Sequence, residues 1–163
     1  MNENSMTPER KEHLYQKKDI LYRKAHGKMI LDNYLSKVAY MFPFEKQPEL
    51  LPLEETDAAL EQFRLVSSDL AKETAQISVH ELCLELLAIQ GSGKSFYVLI
   101  DDDWRYCGIL KIEKIETLNV ALEFGNTIMN DLFFISVDMS LAINLDFFEV
   151  DGVYVIDIEK WRI

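Results

Sequence analysis

Leu141-Ala-Ile-Asn-Leu-Asp-Phe-Phe-Glu-Val150 is followed by Asp151-Gly152 and then by Val153-Tyr-Val-Ile-Asp-Ile158. The two outer segments are rich in aliphatic and aromatic residues, which favour β-strands. Asp and Gly both tolerate the positive φ angles of a type I′ turn, so the dipeptide between the segments is a strong hairpin signal. The sequence therefore predicts two antiparallel strands that are joined by a two-residue turn.

The two-residue turn fixes which residues of this hairpin face one another, because each step away from the turn pairs the next two residues. Asp146 then lies directly opposite Asp157, and Asn144 lies opposite Glu159 on the same face. Like charges directly opposed on a sheet are unfavourable, so Asp146, Asp157 and Glu159 are candidate contacts for Lys or Arg of a partner. Two alternatives stay open, a cation of the same chain such as Lys111 and screening by solvent.

Three further strands are predicted upstream of the hairpin, at residues 96–100, 106–112 and 132–137, where the sequence is apolar and strand-like. The first two of these strands are connected by the polar run Asp101-Asp102-Asp103, with Trp104 next to it. Successive carboxylates of an extended chain point apart and cannot converge on one metal ion. The run is therefore either a solvated turn or a contact loop for a cationic partner, with Trp104 as its anchor.

Helical signals dominate the first half of the chain. Thr7 and Pro8 are typical of a helix N-cap and first helical position, and apolar residues recur at helical spacing up to Pro43. Gly27 is expected to break this segment into two helices. Another helix is predicted at residues 57–73.

A capping box begins the next predicted helix, since the Ser78 hydroxyl can accept from the backbone of Glu81 while the Glu81 side chain reaches back. Gly91 closes that helix. Residues 115–124 fit both a strand and a helix. With helices over residues 7–90 and mainly strands over 95–160, we predict one α+β domain over 1–163, in which N-terminal helices pack on a C-terminal antiparallel sheet.

The charge of the chain is unevenly distributed. The 163 residues carry a formal net charge of −11, but residues 1–40 hold eight basic and five acidic side chains, a net charge of +3. The remaining residues carry −14. This balance argues against binding to nucleic acid or to an anionic membrane through the whole surface. The sequence shows neither a secretory signal nor a membrane-spanning apolar run, so we expect a cytoplasmic protein with two reduced core thiols, Cys83 and Cys107.

No motif for catalysis or cofactor binding is complete. Gln90-Gly-Ser-Gly-Lys-Ser95 resembles the end of a phosphate-binding loop, but Ala88 stands where that loop requires Gly, and the order is helix to strand. The histidines and cysteines lack the spacing of metal ligands, and no nucleophile motif is present. We therefore predict no cofactor, no metal site and no enzymatic activity.

Similarity to a known family is confined to the C-terminal third. The segments Phe133-Phe-Ile-Ser-Val-Asp138, Ala142-Ile-Asn-Leu-Asp146 and Val153-Tyr-Val-Ile-Asp157, together with Trp161, resemble small immunity proteins of bacterial polymorphic-toxin and contact-dependent growth inhibition systems. The resemblance implies a cytoplasmic protein that binds one cognate toxin, often a basic nuclease, and blocks its active site. An acidic body suits that role, because charge complementarity speeds association and selects partners.

A second function class stays open beside the immunity protein. The basic segment around Lys17, Lys18, Arg23 and Lys24 is also compatible with a helical regulatory or adaptor protein that contacts nucleic acid or an acidic partner. A steep dependence of binding on salt would favour nucleic acid as the partner. Because acidic residues are interspersed and the net charge of the segment is small, a solvated helix face, or one that docks on the acidic body, is favoured over a nucleic-acid stripe.

Overall fold

The computed structural model describes residues 6–128 and 130–163. In chain order the helices of this part are α1 (Pro8–Met41), α2 (Leu53–Ser67), α3 (Val79–Gln90) and α4 (Trp104–Cys107), and a short 3-10 helix covers Ile115–Thr117. The strands are β1 (Glu49–Leu50), β2 (Ala71–Ile77), β3 (Phe96–Ile100), β4 (Leu110–Ile112), β5 (Asp131–Ser136), β6 (Leu141–Val150) and β7 (Val153–Arg162).

The strands form one sheet in the order β1-β4-β3-β5-β6-β7-β2, and every neighbouring pair is antiparallel. Helices pack on both faces of this sheet. The prediction of an α+β fold, with N-terminal helices on a C-terminal antiparallel sheet, is confirmed.

The β6–β7 hairpin has the predicted register. Asp151 and Gly152 form its turn with φ angles of 52° and 80°, as a type I′ turn requires. Leu145 pairs with Ile158 along one buried face, while the other face carries the opposed pair of Asp146 and Asp157. The residue types at the turn thus determine which side chains of both strands reach the core.

Each face of the sheet packs against a different set of helices. On one face α1 and α3 contribute Tyr34, Leu82 and Leu86 to a core that includes Phe134 and Ile156 of the sheet. On the other face α2 supplies the second core. Its Phe63 ring packs edge-on against Phe133 and Trp161, at centroid distances of 5.4 and 5.6 Å. Because α2 covers only part of this second face, Asp146 and Asp157, which lie nearer the hairpin turn than Trp161, stay exposed to solvent.

The predicted break of the first helix at Gly27 is wrong, since α1 runs without interruption from Pro8 to Met41. Gly27 is buried, and a Cβ atom there would meet the backbone carbonyl of Tyr106. The glycine therefore permits close approach of α4 to α1 and does not end the helix. N-terminal to this crossing, α1 projects from the body, and residues 8–19 are exposed.

The boundary of the third predicted helix is also wrong, because α2 covers Leu53–Ser67 and residues 71–77 form β2. The range 7–90 is thus not purely helical. Strand β2 is exposed along almost its whole length and, among the described strands, pairs only with β7. Its sequence is mostly polar and contains one large apolar residue, Ile77, so tertiary pairing overrides local propensity here.

The segment after the aspartates differs from the predicted strand at residues 106–112. Residues Trp104–Cys107 form the helical turn α4, and Gly108, at a φ of 91°, redirects the chain into the short strand β4. Residues 115–124 are neither a regular strand nor an α-helix, since the 3-10 helix is followed by irregular chain.

The predicted start of α3 is confirmed. Ser78 Oγ accepts from the Glu81 backbone at 3.3 Å, and Glu81 Oε2 accepts from the Ser78 backbone at 2.8 Å. Cys83 and Cys107 are both free, and each is half-buried rather than enclosed in the core as the sequence predicts.

Candidate partner-binding surface

Three carboxylates lie side by side across three adjacent strands of the sheet. Asp146 of β6 pairs with Asp157 of β7 on one side and with Asp131 of β5 on the other. We call these three residues the acidic row. Neighbouring strands lie about 4.8 Å apart, so the row extends over roughly 10 Å. Asp146 and Asp157 are exposed and Asp131 is half-buried.

Within the described residues no Lys or Arg nitrogen lies within 4.0 Å of a carboxylate of the acidic row. The suggested cation Lys111 is not a neighbour, because it lies on β4 and pairs with Tyr97 and Glu49. Gln76 of β2 donates to Asp157 Oδ1 at 3.3 Å, which is a neutral contact. Two alternatives to a partner were open, and the structure removes one of them. Neutralisation of the acidic row by Lys111 is wrong, whereas screening by solvent remains.

The surroundings of the acidic row are apolar on one side. Phe148 pairs with Val155 two residues nearer the hairpin turn and on the same face, and both are half-buried. Side chains two residues apart on a strand share a face, so this pair lies about 7 Å from the opposed Asp146 and Asp157. The surface thus combines a line of negative charge with an adjoining apolar strip.

The surroundings of Asp131 raise the pKa of its carboxyl group. Burial, followed by the negative charges of Asp102, Asp101 and Asp146, raises the pKa of Asp131 to about 6. The Arg105 charge acts in the opposite direction but does not compensate. A cation placed on the row would favour the ionised form of Asp131 and would therefore release a proton from it below that pKa.

Glu159, the third acidic residue predicted on the hairpin, has a partner within the chain. Its carboxylate lies 3.1 Å from Lys72 Nζ of β2, and both side chains are partly exposed. Lys72 also sits over the Trp161 ring at 5.0 Å. Glu159 is therefore neutralised by a neighbouring strand, and the structure separates it from the acidic row.

Asp101 does not lie on the surface as a contact loop or a solvated turn would require. Its side chain is 3% exposed, and Lys37 Nζ of α1 donates to it at 2.6 Å. Its Oδ1 accepts from the backbone of Asn130 and Asp131, at 2.7 and 3.2 Å. The carboxylate thus joins α1 to the start of β5, which is a structural role that the aspartate run alone does not reveal.

The other residues of the aspartate run have mixed positions. Asp103 is half-buried and lies 3.3 Å from Lys37 Nζ. Burial raises the pKa of Asp103 against the opposing effect of Lys37. Asp102 is exposed and pairs with Arg105 at 3.2 Å. Trp104 is half-buried with the Arg105 guanidinium 5.2 Å from its ring, so it does not extend freely as an anchor.

Two functional neighbours, Asp131 and Lys37, are absent from the sequence-based site. Asp131 precedes a predicted strand, but its pairing with Asp146 depends on the Asp138-Met139-Ser140 turn, where Met139 has a φ of 59°. The run Asp-Met-Ser between two apolar segments is the signal that was available. Lys37 carries no such signal, because it lies 64 residues before Asp101.

Other kinds of site find little support in the described part of the chain. No group of three or more His, Cys, Asp or Glu residues there is arranged to hold a metal ion. Lys94, in the loop that resembles a phosphate-binding motif, pairs with Asp138 at 2.7 Å. Hydrogen bonds from Lys94, Ser136 and Ser140 lower the pKa of Asp138. None of the helices described has the length and hydropathy needed to cross a membrane.

Comparisons with known proteins give no relative for this chain: no family model, curated protein or solved structure matches it. The functional argument therefore rests on the site itself. Its principal element is the acidic row, since Asp101 and Glu159 are held by Lys37 and Lys72.

Proposed function

We propose that this protein is a binding protein that neutralises a cationic protein partner through the acidic row. The observation that carries the proposal is the alignment of Asp131, Asp146 and Asp157 on three neighbouring strands with no cation beside them in the described structure. Two carboxylates opposed on a sheet repel by an energy on the order of 1 kcal/mol even in water. A partner that supplies Lys or Arg converts that repulsion into attraction.

The partner that fits this surface presents at least two basic side chains about 10 Å apart beside an apolar group. The basic groups meet the acidic row, and the apolar group meets the strip of Phe148 and Val155. Guanidinium groups suit the row best, since they bind carboxylates in a bidentate manner. The active-site cleft of a nuclease has this character, because it is built to bind phosphates with Lys and Arg.

The specific form of the proposal is an immunity protein that binds one cognate toxin of the nuclease type in the cytoplasm and has no catalytic activity of its own. The support for this form is the resemblance of residues 133–161 to immunity proteins, together with the acidic row in that same region. The row would occupy the basic cleft of the toxin and exclude its substrate. Electrostatic steering would make association fast at low salt.

Co-expression with a cationic nuclease toxin, sought first among the products of the neighbouring genes, tests this proposal. Wild-type protein is expected to restore growth, and the Asp146→Lys/Asp157→Lys variant is expected to fail. This variant keeps two like charges opposed on the sheet, so it reverses the charge of the row without changing the kind of cross-strand pair. Glu113→Lys/Glu123→Lys is the matched control, since it alters the net charge equally at two exposed residues outside the row.

Binding kinetics separate the role of the row from that of folding. Reversal of Asp146 and Asp157 is expected to weaken binding by roughly a hundredfold or more, with a large part of the loss in the association rate at low salt. The control variant is expected to change the association rate only severalfold. Equal rescue by the row variant and by wild type would remove the acidic row from the mechanism.

A second candidate function is a regulatory or adaptor protein that uses its basic N-terminal segment. The observation that favours it is the exposure of Lys17 and Lys18 on the projecting part of α1. Arg23 and Lys24 contribute less, because they pair with Asp57 and Glu54 of α2 at 2.8 and 3.2 Å. Binding to a defined DNA or RNA duplex, lost in Lys17→Glu/Lys18→Glu and steeply weakened by salt, would support this function.

A further inference from the structure

The N-terminal part of α1, residues Pro8 to Tyr22, extends beyond the body of the protein, and we call it the arm. Every residue of the arm from 8 to 19 is exposed. Ile20 is half-buried, and Arg23 Nε donates to the Arg105 carbonyl at 2.7 Å, so the helix meets the body from about this turn onward. An isolated helix of this length is marginally stable in water. An element with so little support from its own chain is therefore a candidate for contact with another molecule.

The arm carries one stripe that is both basic and apolar. Lys11, Leu14, Lys18 and Leu21 recur at spacings of three and four residues and hence lie on one side of the helix. The acidic residues of the arm lie about 80° or more around the helix from every member of this stripe. One of them, Asp19, faces the body, since it is 3.5 Å from Arg23. The interspersed anions therefore do not neutralise the stripe.

The charges of the stripe are unpaired within the described chain. No described carboxylate lies within 4.0 Å of the ammonium group of Lys11 or Lys18. Leu14 and Leu21 are 39% and 60% exposed. The stripe is thus an open surface that offers two cations and two aliphatic side chains.

From these observations we infer that the arm of one copy binds the acidic row of a second copy. Lys11 and Lys18 are separated by about 10 Å along the helix at a rise of 1.5 Å per residue. Asp131 and Asp157 are also separated by roughly 10 Å, because they lie two strands apart. Leu14 lies between the two lysines and meets the apolar strip of Phe148 and Val155. Charge, spacing and apolar contact therefore match between two parts of the same chain.

The position of the two surfaces allows a closed dimer. At the base of the arm, Arg23 donates to the backbone of Arg105 in α4. Just before α4, the Asp101 side chain accepts from the backbone of Asp131, which is the first residue of β5 and one end of the acidic row. Arm and row thus flank the same short helix. Two copies related by a two-fold axis can each lay an arm over the row of the other, so the contact closes without forming an open chain of molecules.

This dimer shares the acidic row with the proposed function but does not depend on the existence of a toxin. Self-association would cover the row in the free protein, and a cationic toxin would compete with the arm for it. Toxin binding would then convert the dimer into a one-to-one complex. The arm is therefore a regulator of access to the row.

Sedimentation velocity across a roughly hundredfold range of concentration tests the inference, at about 50 mM and about 300 mM salt. Wild type is expected to form a dimer that weakens as salt increases. Lys11→Glu/Lys18→Glu is expected to raise the dissociation constant of the dimer about tenfold or more. Lys46→Glu/Lys114→Glu, which changes the net charge equally at two exposed residues of the body, is the matched control with an expected change of about twofold.

A charge-swap experiment identifies the contact directly. Asp146→Lys/Asp157→Lys alone is expected to be monomeric. Its mixture with Lys11→Glu/Lys18→Glu is expected to form a heterodimer, because each stripe then meets an acidic row whose net charge is opposite to its own, although Asp131 stays acidic. A wild-type monomer at every concentration at low salt would overturn the inference, as would a dimer that Lys11→Glu/Lys18→Glu leaves unchanged. Lys11→Glu/Lys18→Glu keeps the row intact, so its binding to the toxin tests the proposed function separately.

Discussion

The buried ion pair between Lys37 and Asp101 gives the sharpest prediction for stability. The side chains are 9% and 3% exposed, and Nζ lies 2.6 Å from Oδ2. Burial lowers the pKa of Lys37, but the hydrogen bonds and negative charges of Asp101 and Asp103 together outweigh burial and leave the pKa above its ordinary value. Lys37 is therefore charged in the folded protein. Lys37→Met keeps most of the aliphatic stem and removes the charge that Asp101 and Asp103 share.

The expected loss follows from what the substitution leaves behind. Removal of one member of a buried ion pair costs about 3–5 kcal/mol, because the other charge stays buried without compensation. Backbone amides of Asn130 and Asp131 still donate to Asp101, so we expect the lower half of that range. A domain of this size has a total stability of roughly 5–15 kcal/mol. The variant should therefore fold but unfold at a clearly lower denaturant concentration.

Urea unfolding followed by circular dichroism measures this loss as a shift of the midpoint at constant slope. Lys28→Met on the exposed side of the same helix is the matched control, with an expected change within about 0.5 kcal/mol. The double variant Lys37→Met/Asp101→Asn is expected to recover part of the loss, because it removes the uncompensated charge. A loss below about 1 kcal/mol for Lys37→Met would refute the assignment of a buried, charged pair.

Three further predictions concern the sheet and the helix crossing. The folded protein keeps a proton on Asp131 up to about pH 6, whereas an ordinary Asp releases it near 3.8, so Asp131 should make the free energy of unfolding fall as pH rises through that window. Asp131→Asn should reduce this fall and leave the contribution of Asp103, whose pKa is also raised by burial; an unchanged pH profile would contradict the prediction. Asp146→Asn should raise the free energy of unfolding at neutral pH by about 0.5–1 kcal/mol, an effect that high salt removes; a loss of stability at low salt would count against repulsion in the row. Gly27→Ala should lower the free energy of unfolding by about 1–3 kcal/mol in thermal unfolding, because the added Cβ meets the Tyr106 carbonyl. An increase of up to about 1 kcal/mol, which the higher helix propensity of Ala alone would give, would contradict this close approach.

The parts of the fold that sequence reasoning predicts are those controlled by neighbouring residues. The Asp151-Gly152 turn determines the pairing of β6 with β7, and the local capping box determines the start of α3. Strand β2 escapes prediction because its sequence is mostly polar and β7, its only partner among the described strands, is 79 or more residues away. The helix break predicted at Gly27 is wrong for the same reason. The glycine is required by the close approach of the distant Tyr106 carbonyl, and it does not end its own helix.

The site shows the same division between local and distant control. The opposition of Asp146 and Asp157 is a consequence of one tight turn, so the sequence predicts it. Its extension to Asp131 requires the register of a second hairpin, whose longer connection does not fix the pairing. The burial of Asp101 depends on Lys37 of α1, and the sequence does not indicate that this helix lies beside the aspartate run. Charge patterns thus identify a candidate surface, but tertiary contacts decide which acidic residues lie on it.

The pairing of β2 with β7 has a consequence for the order of folding during synthesis. Ala71 pairs with Arg162 and Ile77 with Ile156, so β2 waits for a strand that the ribosome makes 79 or more residues later. Contacts of such long sequence separation make folding slow, because chain entropy is lost before they form. Until β7 emerges, β2 and the apolar faces of α2 and α3 have no completed sheet to cover them. A nascent chain in this state exposes core surface and is a natural substrate for chaperones that hold newly made proteins.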